Sequence, residues 1–192
     1  VESIATPAGP QAIPFYVEDL MTAARAETGL SDFGDLGFTT GLDVLCKSLR
    51  TEANLHEGGV IGQGQELLRL LINRLRYIDD VNKHPEILQE KIIAPIVVVG
   101  LPRTGTSKLQ RVMSGDPGVQ RLDVWRLLNP APFPDEEAGK PEGRIAFAKV
   151  VEDTFRTQFP GLMARHPMDC PLYPSDAAAD TPFVKLGGRC IV

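Results

Sequence analysis

The residues with the clearest capacity for chemistry lie between positions 95 and 107. An apolar run followed by glycine-containing chain and a helix-forming stretch predicts a buried strand over 95–99, then a tight loop, then a helix. Such a loop builds an anion site, because the first amide groups of a helix lack acceptors and the helix dipole adds partial positive charge. Arg103 adds a permanent cation. Three hydroxyl side chains follow it: Thr104, Thr106 and Ser107. A phosphate or sulfate group is the predicted ligand.

The loop departs from the nucleoside-triphosphate pattern G-x-x-x-x-G-K-[ST]. Gly100, Gly105 and Ser107 match that pattern, but Thr106 stands at the position of the lysine. That lysine reaches the β- and γ-phosphates, so its absence argues against a nucleotide kinase or NTPase. The kinase interpretation stays open as an alternative, and Mg²⁺-dependent ATP binding would favour it.

Residues 100–107 resemble the 5′-phosphosulfate-binding loop of the sulfotransferase family, most closely the bacterial branch with a helical N-terminal region. The resemblance covers residues 10 to 170. The flanking segments that resemble this branch are Asn73–Arg76, His84–Ile87, Asp116–Pro117, and Trp125 with the Pro130, Pro132, Pro134 series.

The resemblance implies an enzyme that transfers a sulfuryl group from 3′-phosphoadenosine 5′-phosphosulfate (PAPS) to a hydroxyl of a small molecule, without a metal. It implies that Arg103 contacts the transferring group and that His166 is the base, a role that histidine suits near neutral pH. The cofactor-binding residues that it implies are Pro102, Arg103, Thr104, Gly105, Thr106 and Ser107.

Other residues have two interpretations each. Trp125 either lines the acceptor pocket or fills the core, and Arg126 follows it where the family often has glutamate. Lys108 and Arg111 either add positive field near the cofactor or form a solvated helix face. Two further histidines are interpreted structurally: His84 as a residue that begins a helix, and His56 as part of a glycine-rich loop.

Residues 170–192 resemble none of the family's later elements, and the family's second cofactor motif, for the 3′-phosphate, is not recognisable. We interpret the chain as the N-terminal part of the fold with a divergent tail. A catalytically inactive family member that acts as a binding module is therefore a second alternative. An incomplete sheet exposes an edge, so self-association into a homo-oligomer is a further hypothesis.

The composition of the chain argues against several classes of protein and of binding site. Twenty basic and 25 acidic residues give a net charge of -5, which argues against a nucleic-acid partner. Three cysteines without a C-x-x-C pair, and three scattered histidines, indicate neither a disulfide framework nor a metal site. No apolar run is long enough to span a membrane and no secretory signal is visible, so we expect a cytoplasmic protein.

The elements that position the loop follow from periodicity and turn residues. Helices are predicted over 15–28, 40–52, 65–81, 85–91, 105–114 and 145–155, with a loop over 58–64 and a strand or short helix within 119–128. The predicted fold is α/β: a P-loop-like parallel sheet, possibly incomplete, flanked by helices and preceded by a helical N-terminal region. Residues 1–92 form that helical region and 93–192 the sheet-bearing part, in one cooperative domain.

Overall fold

The first helix, α1 (Val17–Thr28), ends where the sequence predicts, because Gly29 provides a left-handed cap. Gly29 has φ +69°, and its amide donates to the carbonyl of Arg25 at 2.8 Å. Glycine adopts this conformation without the steric cost that a Cβ brings. The structure, a computed structural model, describes residues 13–91, 95–101, 104–113, 115–116, 118–121, 123–134, 136–137, 139–161 and 189–191.

Two more helices complete the first of two compact units, Val1–Asn82. Helix α2 spans Phe38–Thr51 and α3 spans Glu57–Lys83. The predicted loop over 58–64 is wrong, since those residues form the first two turns of α3. Nδ1 of His56 accepts the amide of Gly59 at 3.1 Å, which satisfies one donor at the start of the helix. Packing and capping thus outweigh the low helix propensity of the glycines.

The core of the first unit is the apolar stripe of α3 packed with α1 and α2. The spacing of Leu68, Leu71, Leu75 and Ile78 predicts one apolar stripe on α3, and in the structure the three leucines are buried while Ile78 is half-buried. The partners of these leucines in the core are Phe15, Leu20, Met21, Ala24, Phe33, Cys46, Leu67 and Ile72. This core holds the three helices of the first unit together.

The second unit, Lys83–Val192, carries the candidate site. Its described elements are a 3₁₀ turn (Pro85–Gln89), α4 (Thr106–Met113), β1 (Val119–Arg121), α5 (Val124–Leu128), α6 (Glu142–Gln158) and β2 (Arg189–Ile191). Strands β1 and β2 pair in parallel, with Val119, Gln120 and Arg121 opposite Arg189, Cys190 and Ile191. In the described part of the chain, the sheet consists of these two strands.

The strand predicted over 95–99 differs in the structure. Ile96 forms a single bridge, while residues 97–101 form no strand. Val97 and Val99 are 62% and 86% exposed, so the predicted burial on both faces is wrong for the residues that the structure describes. β-branched residues favour extended chain, but a strand also needs a partner along its whole length, and that depends on tertiary context.

The remaining predicted elements agree within a few residues. Helices over 105–114 and 145–155 correspond to α4 and α6, and the ambiguous stretch 119–128 contains both a strand and a helix. No helix in the described ranges has the length and apolar character that crossing a bilayer requires. The division into 1–92 and 93–192, and their cooperativity, stay predictions.

Candidate functional site

The loop before α4 is closed by one carbonyl. The oxygen of Leu101 accepts the amide of Thr104 at 3.3 Å and the hydroxyl of Thr104 at 2.7 Å. In this structure the hydroxyl of Thr104 thus donates within the loop. Its predicted part in cofactor binding stays a prediction.

Glycine is required at two positions of this loop. A Cβ at Gly100 would lie 2.7 Å from Oγ1 of Thr104 and 2.8 Å from Cγ2 of Thr106, which is closer than such atoms approach. Gly105 has φ +90°, a conformation that side chains disfavour. The loop is thus a close-packed turn in which the chain folds directly back over Gly100.

Helix α4 begins immediately after the loop. Its first hydrogen bond runs from the amide of Leu109 to the carbonyl of Gly105 at 3.0 Å. The amides of residues 105–108 come before that bond and have no acceptor within the helix. They lie at the positive end of the helix dipole, so the turn can bind an anion.

The structure describes only part of the predicted site. Gly105 and Thr106 stand at the start of α4, where Thr106 is half-buried and Lys108 is exposed. Ser107 and Arg111 lie on the same helix, and the structure describes their backbone only. Pro102, Arg103 and His166 lie outside the described residues, so their roles stay predictions.

The two described histidines have structural partners. His56 caps α3, as described above. Nδ1 of His84 lies 3.2 Å from Oε1 of Glu86, and both side chains are exposed. The pKa of Glu86 lies below its ordinary value, chiefly because its own backbone amide donates to the carboxylate and secondarily because of His84. His84 therefore begins the 3₁₀ turn, which agrees with its structural interpretation.

Trp125 is buried and two guanidinium groups lie against its ring, which favours its interpretation as a core residue. The guanidinium carbons of Arg126 and Arg144 lie 4.7 Å and 4.9 Å from its ring centroid. Arg144 also forms an ion pair with Glu136 at 2.7 Å, with side chains 12% and 7% exposed. Sequence analysis missed this pair, because nothing in the spacing of Glu136 and Arg144 signals a contact across an irregular segment.

Arg144 also joins the proline-rich segment to α6 through hydrogen bonds. The amide of Arg144 donates to Oε1 of Glu136 at 2.8 Å, and its guanidinium donates to the carbonyls of Asn129 and Pro130 at 3.4 Å and 3.2 Å. The amide of Phe133 donates to Oε2 of Glu136 at 3.1 Å. Together these contacts hold the start of α6 against the end of α5.

Among the described residues, no three His, Cys, Asp or Glu side chains come close enough to hold a metal ion. The described site thus consists of backbone donors and the start of a helix.

The chain was compared with known proteins. No protein-family model and no curated protein matches it. Two solved structures do: sulfotransferase STF1 from Mycobacterium tuberculosis H37Rv, with a TM-score of 0.65 and 28% identity, and sulfotransferase STF9 from Mycobacterium avium, with 0.64 and 23%. The match covers 78% and 76% of this chain but only 42% and 37% of those proteins, so the chain spans less than half their length. The fold of these neighbours fits the α/β class.

Proposed function

We propose a function on the premise that the chain is related to the sulfotransferase family, a relationship that its structural similarity to STF1 and STF9 supports. The proposed reaction is transfer of a sulfuryl group from PAPS to a hydroxyl group of a small molecule. The observation that carries the proposal is the close-packed turn at Gly100, Thr104 and Thr106, directly before the start of α4, whose first amides have no acceptor within the helix.

The described residues fit the anionic part of such a donor. The amides of residues 105–107 would hold the 5′-phosphate, because they point out of the helix start and lack acceptors within it. The space over Gly100 is filled by Thr104 and Thr106, so the loop keeps its shape without a ligand. Preorganised donors of this kind need no rearrangement when charge develops, which is the condition for electrostatic catalysis.

PAPS would supply the sulfuryl group, which passes to the acceptor oxygen while adenosine 3′,5′-bisphosphate leaves. Negative charge grows on the phosphate oxygen that loses sulfur, and the helix amides would stabilise it there. Arg103, one residue before Thr104, would bind the transferring oxygens through two N–H groups and cannot lose its proton. His166 would take the proton that the acceptor hydroxyl loses.

Calorimetric titration with adenosine 3′,5′-bisphosphate tests the proposal. We expect binding that falls at least tenfold in Arg103→Ala, because a charge-assisted hydrogen bond typically contributes about 1.5–3 kcal/mol. The matched control is Arg156→Ala, which removes an exposed guanidinium from α6 in the same unit. Bisphosphate binding by both variants equal to that of the parent chain would refute the assignment.

A second variant tests the backbone part of the site separately from the arginine. Gly100→Ala forces a Cβ against Thr104 and Thr106, so we expect weaker bisphosphate binding by a chain whose far-UV circular dichroism is unchanged. Gly161→Ala, with nothing within 4 Å of the added methyl, is its control. Tight Mg²⁺-ATP binding instead would favour the kinase alternative, and bisphosphate binding without sulfuryl transfer would favour the binding module.

A further inference from the structure

The first unit contains a cavity of about 440 Å³ that is open to solvent. It lies between the chain that leads into α1, the end of α2 and the start of α3. Six of the nine described residues that line it are apolar: Ile13, Pro14, Phe15, Leu49, Leu55 and Val60. The other three, Tyr16, Arg50 and Asn54, are exposed. The volume falls within the range of about 300–1,000 Å³ that is typical of small-molecule sites.

One cation lines this cavity, and it is held in place. The guanidinium of Arg50 donates from one nitrogen to the carbonyl of Phe15. Its central carbon lies 4.2 Å from the ring centroid of Tyr16, so one face of the group stacks on the aromatic ring. Stacking and a backbone bond restrict the side chain, which lowers the entropy lost when a ligand binds.

The charge of Arg50 has no carboxylate partner in the described part of the chain, and no acidic side chain is among the described residues that line the cavity. An arginine has five N–H donors, and the contact with Phe15 uses one of them. The guanidinium edge therefore still has donors for a planar anion, and a carboxylate matches them with two parallel bonds. The side chain of Asn54 adds an amide at the rim, on a residue with φ +46°.

We propose that this cavity binds a small amphipathic monocarboxylate, with its carboxylate on Arg50 and its apolar part against Leu49, Leu55 and Val60. A single charge fits better than a phosphate dianion, because the described lining has one cation. An apolar body fits because six of the nine described lining residues are apolar, and covering their surface contributes in proportion to its area. The described residues that line this site all belong to the first unit.

Octanoate is the probe, followed through the ¹H–¹⁵N amide signals of the full chain. We expect saturable shifts at Phe15, Tyr16, Asn54 and Leu55, and in the Nε–H signal of Arg50. Octan-1-ol, with the same apolar length and no charge, should bind at least tenfold more weakly. Equal affinity for the two probes, or shifts spread over the surface, would overturn the proposal.

Variants separate the role of charge from that of fold. Arg50→Gln should weaken octanoate binding at least tenfold and leave octan-1-ol binding unchanged. Arg50→Lys keeps the charge but loses the planar fork, so it should bind octanoate with intermediate affinity. The control is Arg69→Gln, which removes a guanidinium paired with Glu66 outside the cavity. Unchanged octanoate affinity in a folded Arg50→Gln or Arg50→Lys variant would refute the assignment of Arg50.

Discussion

Glu136→Ala should destabilise the second unit strongly, because it breaks a buried ion pair. The carboxylate accepts the amides of Phe133 and Arg144 and Nε of Arg144, and both charged side chains are nearly buried. Removing one partner of a buried pair typically costs about 3–5 kcal/mol. The guanidinium keeps two carbonyl contacts and its position over Trp125, so we expect the lower part of that range, about 3–4 kcal/mol.

Urea unfolding followed by tryptophan fluorescence measures this loss, because Trp125 is the single tryptophan in the sequence and lies against Arg144. With a slope of about 1–3 kcal/mol per molar urea, the midpoint should fall by roughly 1–4 M. Glu137→Ala is the neighbouring control, since its pair with Lys140 is exposed on both sides and worth about 0–1 kcal/mol.

If Glu136→Ala does not fold, Glu136→Gln keeps an acceptor for one of the two amides and should lose less stability than Glu136→Ala. The reasoning is refuted if Glu136→Ala and Glu137→Ala shift the midpoint equally at unchanged slope. A double variant, Glu136→Ala with Arg144→Ala, should lose less than the sum of the single losses, because no unpaired buried charge remains.

Three smaller predictions concern single positions. Gly29→Ala should destabilise the first unit by about 1 kcal/mol, since the φ of Gly29 is +69°. Gly41→Ala should instead stabilise the unit by about 0.4–1 kcal/mol, because Gly41 lies within α2 and nothing is near the added methyl. Thermal unfolding followed by circular dichroism measures both changes in stability. Cys46 should react with iodoacetamide much more slowly in the folded chain than in urea, because burial raises the pKa of its thiol. The stability that the neutral thiol contributes should be full below the ordinary pKa and should decline as the pH rises through the pKa of the folded state. Equal rates by mass-spectrometric peptide mapping would contradict this prediction. The carboxyl of Glu86 should titrate below its ordinary pKa when followed by NMR. Its contribution to stability is therefore present above the ordinary pKa and is lost as the pH falls through the pKa of the folded state. A titration midpoint at or above the ordinary value would contradict the assigned backbone hydrogen bond.

Elements with local determinants were predictable from the sequence. Gly29 ends α1 because a left-handed cap needs only the last turn of the helix, and the turn before α4 needs only Gly100, Gly105 and the residues between them. The hydrogen bond from the hydroxyl of Thr104 to the carbonyl of Leu101 was not predictable, because it depends on the loop's closed geometry.

Features that depend on tertiary partners were not predictable. The glycines before Gln65 predict a loop from propensity alone, but a histidine cap and packing of Gly64 against Ile13 keep them helical. The valines over 97–99 favour extended chain, yet a ladder requires a neighbouring strand at the correct register. The buried pair of Glu136 and Arg144 joins an irregular segment to a helix, and no periodicity encodes such a contact.

The glycine-rich start of α3 has a consequence for local unfolding of the first unit. Four of its first eight residues are glycine, and each costs about 0.5–1 kcal/mol relative to alanine within a helix. These turns should therefore open by local unfolding, and their amides should exchange with solvent well before those of the buried stripe around Leu71. Val60, in the wall of the cavity, belongs to these turns. A ligand bound in the cavity would contact Val60 and would therefore slow the exchange of those amides.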